Sequence, residues 1–332
     1  MHYWEVWHGN KPFSEYRKYF FRYASEFGFQ SFPSVKTLET VTDDPRELNP
    51  FSYVVEKHQR NYGGNGKIAK YMQAAYRYPE NFSDFVYASQ LLQADGIRYG
   101  VEHYRRNRGR CMGAIYWQLN DCWPVISWSS IDYYGRWKAL HYYAKRFFAP
   151  VMLSCEEQSW MTVEADMNRQ HFEFEKSIRL NVTNETLDAH RVLVKWAVRK
   201  TDATILREEE QWLEVPALSA VWMDKVEFPQ IDCFNEYVSY EAWENDQIIS
   251  QGTVIFSYPK YFHYLNPGLA VRVDGDEIVV KAEAYAKSVE IRNENDDLIL
   301  EDNYFDMNAG EYRVKILDGK PDGLKVRSVY DI

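Results

Sequence analysis

Up to about residue 150, apolar positions recur at helical spacing between short apolar runs. Asn49 followed by Pro50 is a helix-opening pair, a capping side chain and then proline in the first turn. It predicts a helix over 51–60, with Phe51, Val54, Val55 and His58 on one side. Gly63-Gly64-Asn65-Gly66 breaks the chain, and a second helix is expected over 67–78, ended by Pro79. Ser83 caps a long run over 84–107, in which Phe85, Ala88, Leu92, Tyr99 and Tyr104 keep roughly helical spacing. Cys111 to Trp117 is a short apolar run with small residues and suits a buried parallel strand. One more helix is expected over 136–148. Strands alternating with long helices are the rhythm of a βα-barrel or a doubly wound sheet.

Beyond Pro150 the period changes to two. Residues 178–182, 192–198, 221–228, 236–243 and 248–256 alternate apolar and polar side chains between polar turns, which indicates a β-sandwich. Tyr258-Pro259-Lys260 has the character of a linker. A further set over 269–273, 277–284, 288–292, 312–317 and 324–329 makes a second sandwich of about 70 residues, near the lower size limit for a core of its own. No short-period repeat or low-complexity tract is evident.

Composition narrows the classes. At roughly 100–200 residues per domain, 332 residues suggest two or three domains. A formal charge of −10 argues against nucleic acid as the main partner, because phosphate binding needs a basic patch. No apolar run approaches the ~18 residues of a membrane span. The four cysteines form no CxxC pair, which disfavours a disulfide scaffold or a cysteine zinc site and fits a reduced, cytoplasmic setting. No histidine forms an HExxH motif, and Gly63-Gly64-Asn65-Gly66 lacks the flanks of a phosphate cradle, so neither metal nor cofactor is expected. Asn81, Asn181 and Asn184 head glycosylation triplets of a kind common by chance. After Met1 the chain enters His2-Tyr3-Trp4-Glu5-Val6-Trp7 without the parts of a signal peptide. So aromatic a start reads as an internal segment of a larger protein. Aromatic residues reach 17%, enough for large cores or for surfaces that stack flat ligands such as sugars.

Two stretches could carry chemistry. In Phe20-Phe21-Arg22-Tyr23-Ala24-Ser25-Glu26-Phe27-Gly28, a carboxylate sits among aromatics. Burying it is costly without compensating hydrogen bonds or a cation, so Glu26 is either a functional group or a strand-end carboxylate in solvent or paired with Arg22. In Tyr116-Trp117-Gln118-Leu119-Asn120-Asp121-Cys122-Trp123-Pro124, a strand runs into a polar, aromatic loop. Such loops carry the site in a βα-barrel, but Asn120 and Asp121 are equally good turn formers.

Together, His2-Tyr3-Trp4, the run Ser25 to Pro33, the run Trp117 to Pro124, Tyr133-Tyr134-Gly135-Arg136-Trp137-Lys138-Ala139-Leu140 and Asp302-Asn303-Tyr304-Phe305-Asp306 resemble the C-terminal part of the β-mannosidases of glycoside hydrolase family 2. The resemblance covers essentially the whole chain. It implies that residues 1–150 are the last part of a (β/α)8 TIM barrel and that 151–258 and 259–332 are two immunoglobulin-like β-sandwiches. Glu26 then matches the catalytic nucleophile at the end of barrel strand 7, and Trp117 the tryptophan at the end of strand 8 that floors the −1 sugar subsite. Tyr3 matches the tyrosine that hydrogen-bonds the nucleophile, and Asn120 and Trp123 fall at the rim of the sugar pocket. The implied activity is that of a retaining exo-β-mannosidase acting on β-mannoside oligosaccharides. The family's acid/base glutamate lies in an Asn-Glu pair at the end of strand 4, and no part of this chain corresponds to that strand. Losing two proton transfers, each typically worth ~10²–10⁴-fold, should leave this polypeptide alone silent or nearly so. Its exposed barrel edge should favour self-association. Rival readings are a family 2 enzyme for another sugar, such as an exo-β-glucosaminidase, and a non-catalytic sandwich module that binds glycan or protein.

Overall fold

The computed structural model describes residues 1–162 and 174–332. They group into two compact units: Met1–Phe27, Arg98–Ile115 and Lys145–Tyr264 form the first, and Gly28–Ile97, Tyr116–Ala144 and Leu265–Ile332 the second. The N-terminal part holds β1 (Ala24–Phe27), α1 (Val35–Leu38), α2 (Tyr53–Lys57), α3 (Gly64–Ala75), α4 (Phe82–Arg106), β2 (Ala114–Tyr116) and α5 (Ala139–Phe147). Helix α4 realises the long run expected after residue 83, and α3 begins behind Gly63, whose φ of +68° suits glycine. The helix expected over 51–60 shrinks to one turn. Ser52, not Asn49, caps it by accepting from the Val55 N–H (3.2 Å), while Asn49 accepts from the Phe51 N–H just before it.

In the first unit, β1 and β2 form a two-stranded sheet, with the Ala24 N–H donating to the Gly113 carbonyl (2.9 Å). The expected buried parallel strand is therefore corrected. With β1 its one strand neighbour among the described residues, β2 is short and leaves Ile115 51% exposed. Phe27 at the end of β1 is buried against the edges of Tyr16 (5.4 Å) and Tyr104 (5.6 Å). Gly100 permits this approach, since a Cβ there would stand 2.9 Å from the Phe27 ring.

The same unit contains the first sandwich. One sheet pairs β3 (Val151–Gln158), β4 (Ser177–Asn184) and β7 (Ser219–Trp222), with β8 (Val226–Glu227) also on β4. The other runs β6 (Ile205–Val215), β5 (His190–Lys200), β9 (Glu236–Glu244), β10 (Gln247–Ile255), all antiparallel. Leu180 and Val182 face Val192, Val194, Trp196 and Val238 in a closed core. Residues 221–228, expected as one strand, split into β7 and β8.

In the second unit, the segment after Glu26 is held by side chains of α4 instead of by a sheet ladder. Gln93 Nε2 donates to the Phe29 carbonyl (2.8 Å), Gln90 Nε2 to the Phe32 carbonyl (3.1 Å), and the Phe32 N–H to Ser89 Oγ (3.1 Å). The second sandwich pairs β11 (Ala270–Asp274), β12 (Glu277–Ala282), β16 (Gly310–Asp318) and β14 (Ile299–Leu300) in one sheet. Its other sheet sets β13 (Ala286–Arg292) between β15 (Phe305–Met307) and β17 (Lys325–Arg327). Here Asn303 and Asp306 work as staples. Asn303 exchanges two 2.8 Å bonds with the Ile291 backbone, and Asp306 accepts from the Ser288 N–H (2.8 Å).

Candidate functional site

Glu26 is the third residue of β1, and its side chain is 24% exposed. The N-terminal segment runs parallel to it. His2 bridges Glu26, and the Tyr3 N–H donates to the Glu26 carbonyl (2.7 Å). Extended chains send alternate side chains to opposite faces, so His2 and Trp4 share the face of Glu26 while Tyr3 points the other way. Trp4 Nε1 donates to Glu26 Oε1 (2.9 Å), and His2 Nδ1 lies 3.5 Å from the same oxygen. Oε2 receives no hydrogen bond from the described residues, and Arg22 is not a partner. The bond expected from Tyr3 is thus made by Trp4. Tyr3 is instead buried with Tyr19 (5.1 Å) and Phe21 (5.3 Å), and burial, followed by the nearby Glu15 carboxylate, raises its hydroxyl far above the ordinary tyrosine range. Alternation along residues 2–4 was the signal that could have found Trp4.

The second unit carries the loop that follows Trp117. The Trp117–Gln118 peptide is cis, and the indole is 44% exposed. The loop folds back on itself: the Gln118 N–H donates to the Trp128 carbonyl (3.1 Å), and the Ile131 N–H to Leu119 (2.8 Å). Asp121 holds its centre, accepting from Gln118 Nε2 (3.1 Å), Ser127 Oγ (2.9 Å) and Ser129 Oγ (2.5 Å). Asn120 is exposed, and Trp123 is half-buried, stacked on His58 (4.9 Å) with the Arg60 guanidinium 4.6 Å from its ring. Asp132 is likewise spent on structure, accepting from Thr37 Oγ1 (2.5 Å) and from the N–H groups of Tyr134 and Arg136 (3.0 Å each).

Behind the loop, the buried Lys138 ammonium donates to the carbonyls of Ser31 (3.3 Å) and Ser127 (3.4 Å). Burial pushes its pKa down to about 8, with Asp121 and Asp132 pulling the other way. Unfolding returns the amine to its ordinary 10.5. Between these values the unfolded chain holds a proton that the folded chain lacks, so stability from this group rises with pH from about 8 to about 10.5. The Tm of the wild type relative to Lys138→Met should therefore increase between pH 7.5 and 10 (roughly the window set by the shift), and a constant difference would refute the assignment.

The family model "Mannosidase Ig/CBM-like domain" matches residues 176–261, and the "Ig-fold domain" of the same mannosidases matches 264–332. "Beta-mannosidase B" of Thermothelomyces thermophilus is 30% identical, covering 99% of this chain and 41% of that protein. The solved β-D-mannosidase of Dictyoglomus thermophilum superposes with a TM-score of 0.85 at 26% identity, over 98% of this chain and 40% of its own. An exo-chitosanase of Amycolatopsis orientalis, 17% identical over 96% of this chain and 45% of its own, shares the fold with a TM-score of 0.66. The chain thus spans about two fifths of the length of the mannosidases it matches. The matched domain models and these relatives together make the chain similar to one class of protein, the glycoside-cleaving enzymes. Within that class it matches the β-mannosidases, in the manner of their C-terminal part.

Proposed function

We propose that the chain is the C-terminal portion of a retaining exo-β-mannosidase that releases terminal, non-reducing β-D-mannose, with Glu26 as nucleophile. On this reading, residues 1–150 are the last part of a (β/α)8 barrel, with β1 and β2 as its seventh and eighth strands. Residues 151–258 and 259–332 are the two sandwiches that follow. The observation that carries the reading is the state of the Glu26 carboxylate. Its Oε1 is fixed by the Trp4 indole, while Oε2 accepts from none of the described residues at a partly exposed strand end. A retaining nucleophile needs that division, with one oxygen anchored and the other free to bond to C1 as the bond to the leaving oxygen breaks. On the same resemblance, Trp117 of the second unit, 44% exposed, matches the flat apolar floor of a sugar subsite, and Asn120 and Trp123 match its rim.

The partner carboxyl, expected about 5–5.5 Å from the nucleophile, comes from elsewhere in the full-length protein. Asp121 and Asp132 are occupied. The chain's Asn-Glu pairs, at 184–185, 235–236 and 293–294, fall in the sandwich regions, and Glu185 is bound to Arg108 (2.9 Å). Residues 1–332 by themselves are accordingly read as inactive.

A 2-fluoro-mannoside with a good leaving group tests the assignment. In the full-length protein it should leave its sugar on Glu26, and a label on any other residue sinks the reading. Because an exo-chitosanase shares the fold, the same protein should also be offered a panel of nitrophenyl β-glycosides, with the mannoside expected to be cleaved fastest. Trp4→Phe keeps a ring but removes the N–H. Hydrogen bonds to charged groups are worth about 1.5–3 kcal/mol, so kcat/KM should fall roughly 10–100-fold. An unchanged value would show that Trp4 does not orient the nucleophile.

A further inference from the structure

We propose that the outer face of the sheet β6–β5–β9–β10 is a second carbohydrate-binding site, taking a neutral β-linked hexose chain on Trp212 and Trp243. Along β5, Val192, Val194, Trp196 and Val198 enter the core, so Arg191, Leu193 and Lys195 face outward. The register then sets one row across the sheet: Leu193 pairs with Trp212 on one side and Trp243 on the other, and Trp243 pairs with Ile248. Trp212 is 53% exposed and Ile248 43% exposed. Their neighbours Leu193 and Trp243 are half-buried.

Two large indoles held side by side on a flat face, outside the core, present what the C–H faces of sugar rings require. The tryptophans lie two strands apart, about 10 Å, which spans roughly two hexose rings of an extended chain. The adjacent row supplies the hydroxyl-binding groups. Lys195 pairs with Glu210 (3.5 Å) on one neighbouring strand and sits opposite Glu241 on the other. Glu241 accepts from Trp243 Nε1 (2.9 Å), which fixes the ring. Such alternation of acceptor, donor and acceptor beside a stacking row suits vicinal hydroxyls better than an apolar protein surface.

Charge selects among occupants. Glu208, Glu210, Glu214 and Glu241 all project from this face, which repels anionic glycans and a second copy of a chain whose net charge is −10. The Arg191 guanidinium lies 4.6 Å from the Trp212 ring and the Lys195 ammonium 5.3 Å from Trp243. Both side chains are long and solvent-exposed, so they can swing aside and donate to hydroxyls. None of these groups belongs to the Glu26 or Trp117 regions. Only the inclusion of a mannose chain among the probes rests on the function proposed above.

The test is calorimetric titration of the 332-residue chain with mannohexaose and cellohexaose. Saturable binding of at least one is expected. Trp212→Ala and Trp243→Ala should each weaken it roughly tenfold, the double variant should abolish it, and Trp212→Tyr, which keeps a flat ring, should retain most of it. Binding of cellohexaose does not depend on the mannosidase reading, so failure of the nucleophile assignment and failure of this site are told apart. The proposal falls if neither hexaose binds, or if the alanine variants bind as the wild type does. It falls equally if sedimentation shows that Trp212→Ala dissolves a self-associated species, because the face would then be covered by another copy.

Discussion

Glu26→Gly in the full-length protein should lower cleavage of aryl β-mannosides by roughly 10⁴-fold or more. The size follows from what the residue is asked to do. A covalent nucleophile divides one difficult displacement into two easier ones, and no second group on this strand can take its place. The other side chains on its face, His2 and Trp4, present an imidazole and an indole N–H. Glycine leaves a hole where the carboxylate stood, and azide fits such a hole. Attack by azide on C1, with the aryl oxygen leaving, gives the α-mannosyl azide, and partial recovery of rate with that product would identify the missing group by its geometry. Glu26→Gln fills the same space without a nucleophile and should not be rescued. A modest loss in the glycine variant would mean that Glu26 only positions other groups, and recovery with a β-configured product would mean that it is the acid/base and that another carboxylate attacks.

Some of this was readable from residue order. Helix α4 was, because its apolar spacing runs without a break, although it starts at Phe82 and Asn81, not Ser83, accepts from the Asp84 N–H of its first turn (3.0 Å). The sandwich strand β5 was readable because buried Val192, Val194 and Trp196 alternate with wetter positions. Strands β3 and β6 of the first sandwich gave no such signal. In β3, Met152, Leu153, Ser154 and Cys155 are all buried, so alternation is lost. β6 has the opposite trouble: at the sheet edge its Arg207-Glu208-Glu209-Glu210-Gln211 run is exposed on both faces and reads as a charged loop. The helix expected over 136–148 starts late, at Ala139, because Asp132 draws the Arg136 N–H into a turn.

The candidate site divides in the same way. Glu26 and Trp117 were visible as a charged and a large aromatic residue at strand ends, but local pattern left a structural reading open, and their roles come only from the family resemblance. Which neighbour serves Glu26 was hidden, because it depends on pairing between residues more than 20 positions apart in the chain. A one-residue change in that pairing exchanges Tyr3 for Trp4, and sequence spacing alone carries no preference between them. The outward tryptophans of the first sandwich were hidden for a related reason: Trp212 and Trp243 become neighbours of Leu193 only through the strand order β6–β5–β9.

The largest effect expected on stability lies in the first unit, where a short 3₁₀ turn, Phe13–Lys18, is tied to β3. Arg17 donates to the Glu157 side chain (2.7 Å) and carbonyl (2.9 Å), its guanidinium lies 3.7 Å from the Tyr99 ring, and Tyr99 donates to the other Glu157 oxygen (2.6 Å). Both members of the pair are shielded from solvent. Removing one member leaves a buried charge uncompensated, so Glu157→Gln should cost about 3–5 kcal/mol, read as a shift in the urea midpoint followed by tryptophan fluorescence. Replacing both, as Arg17→Met with Glu157→Leu, should recover most of that loss, since taking two charges out of water offsets much of their attraction. The pair also sets a pH dependence. Burial alone raises the Glu157 pKa, but Arg17, Arg98 and the Tyr99 hydroxyl together outweigh it and hold the carboxyl below its ordinary 4.5. Its contribution is therefore complete above the unfolded value and is lost as the pH falls through the folded one. The wild type should lose stability below about pH 4.5, and Glu157→Gln should lack that component. Equal acid sensitivity in the two proteins would place the titrating group elsewhere, and a Glu157→Gln cost under about 1 kcal/mol would mean that water reaches the pair and screens it.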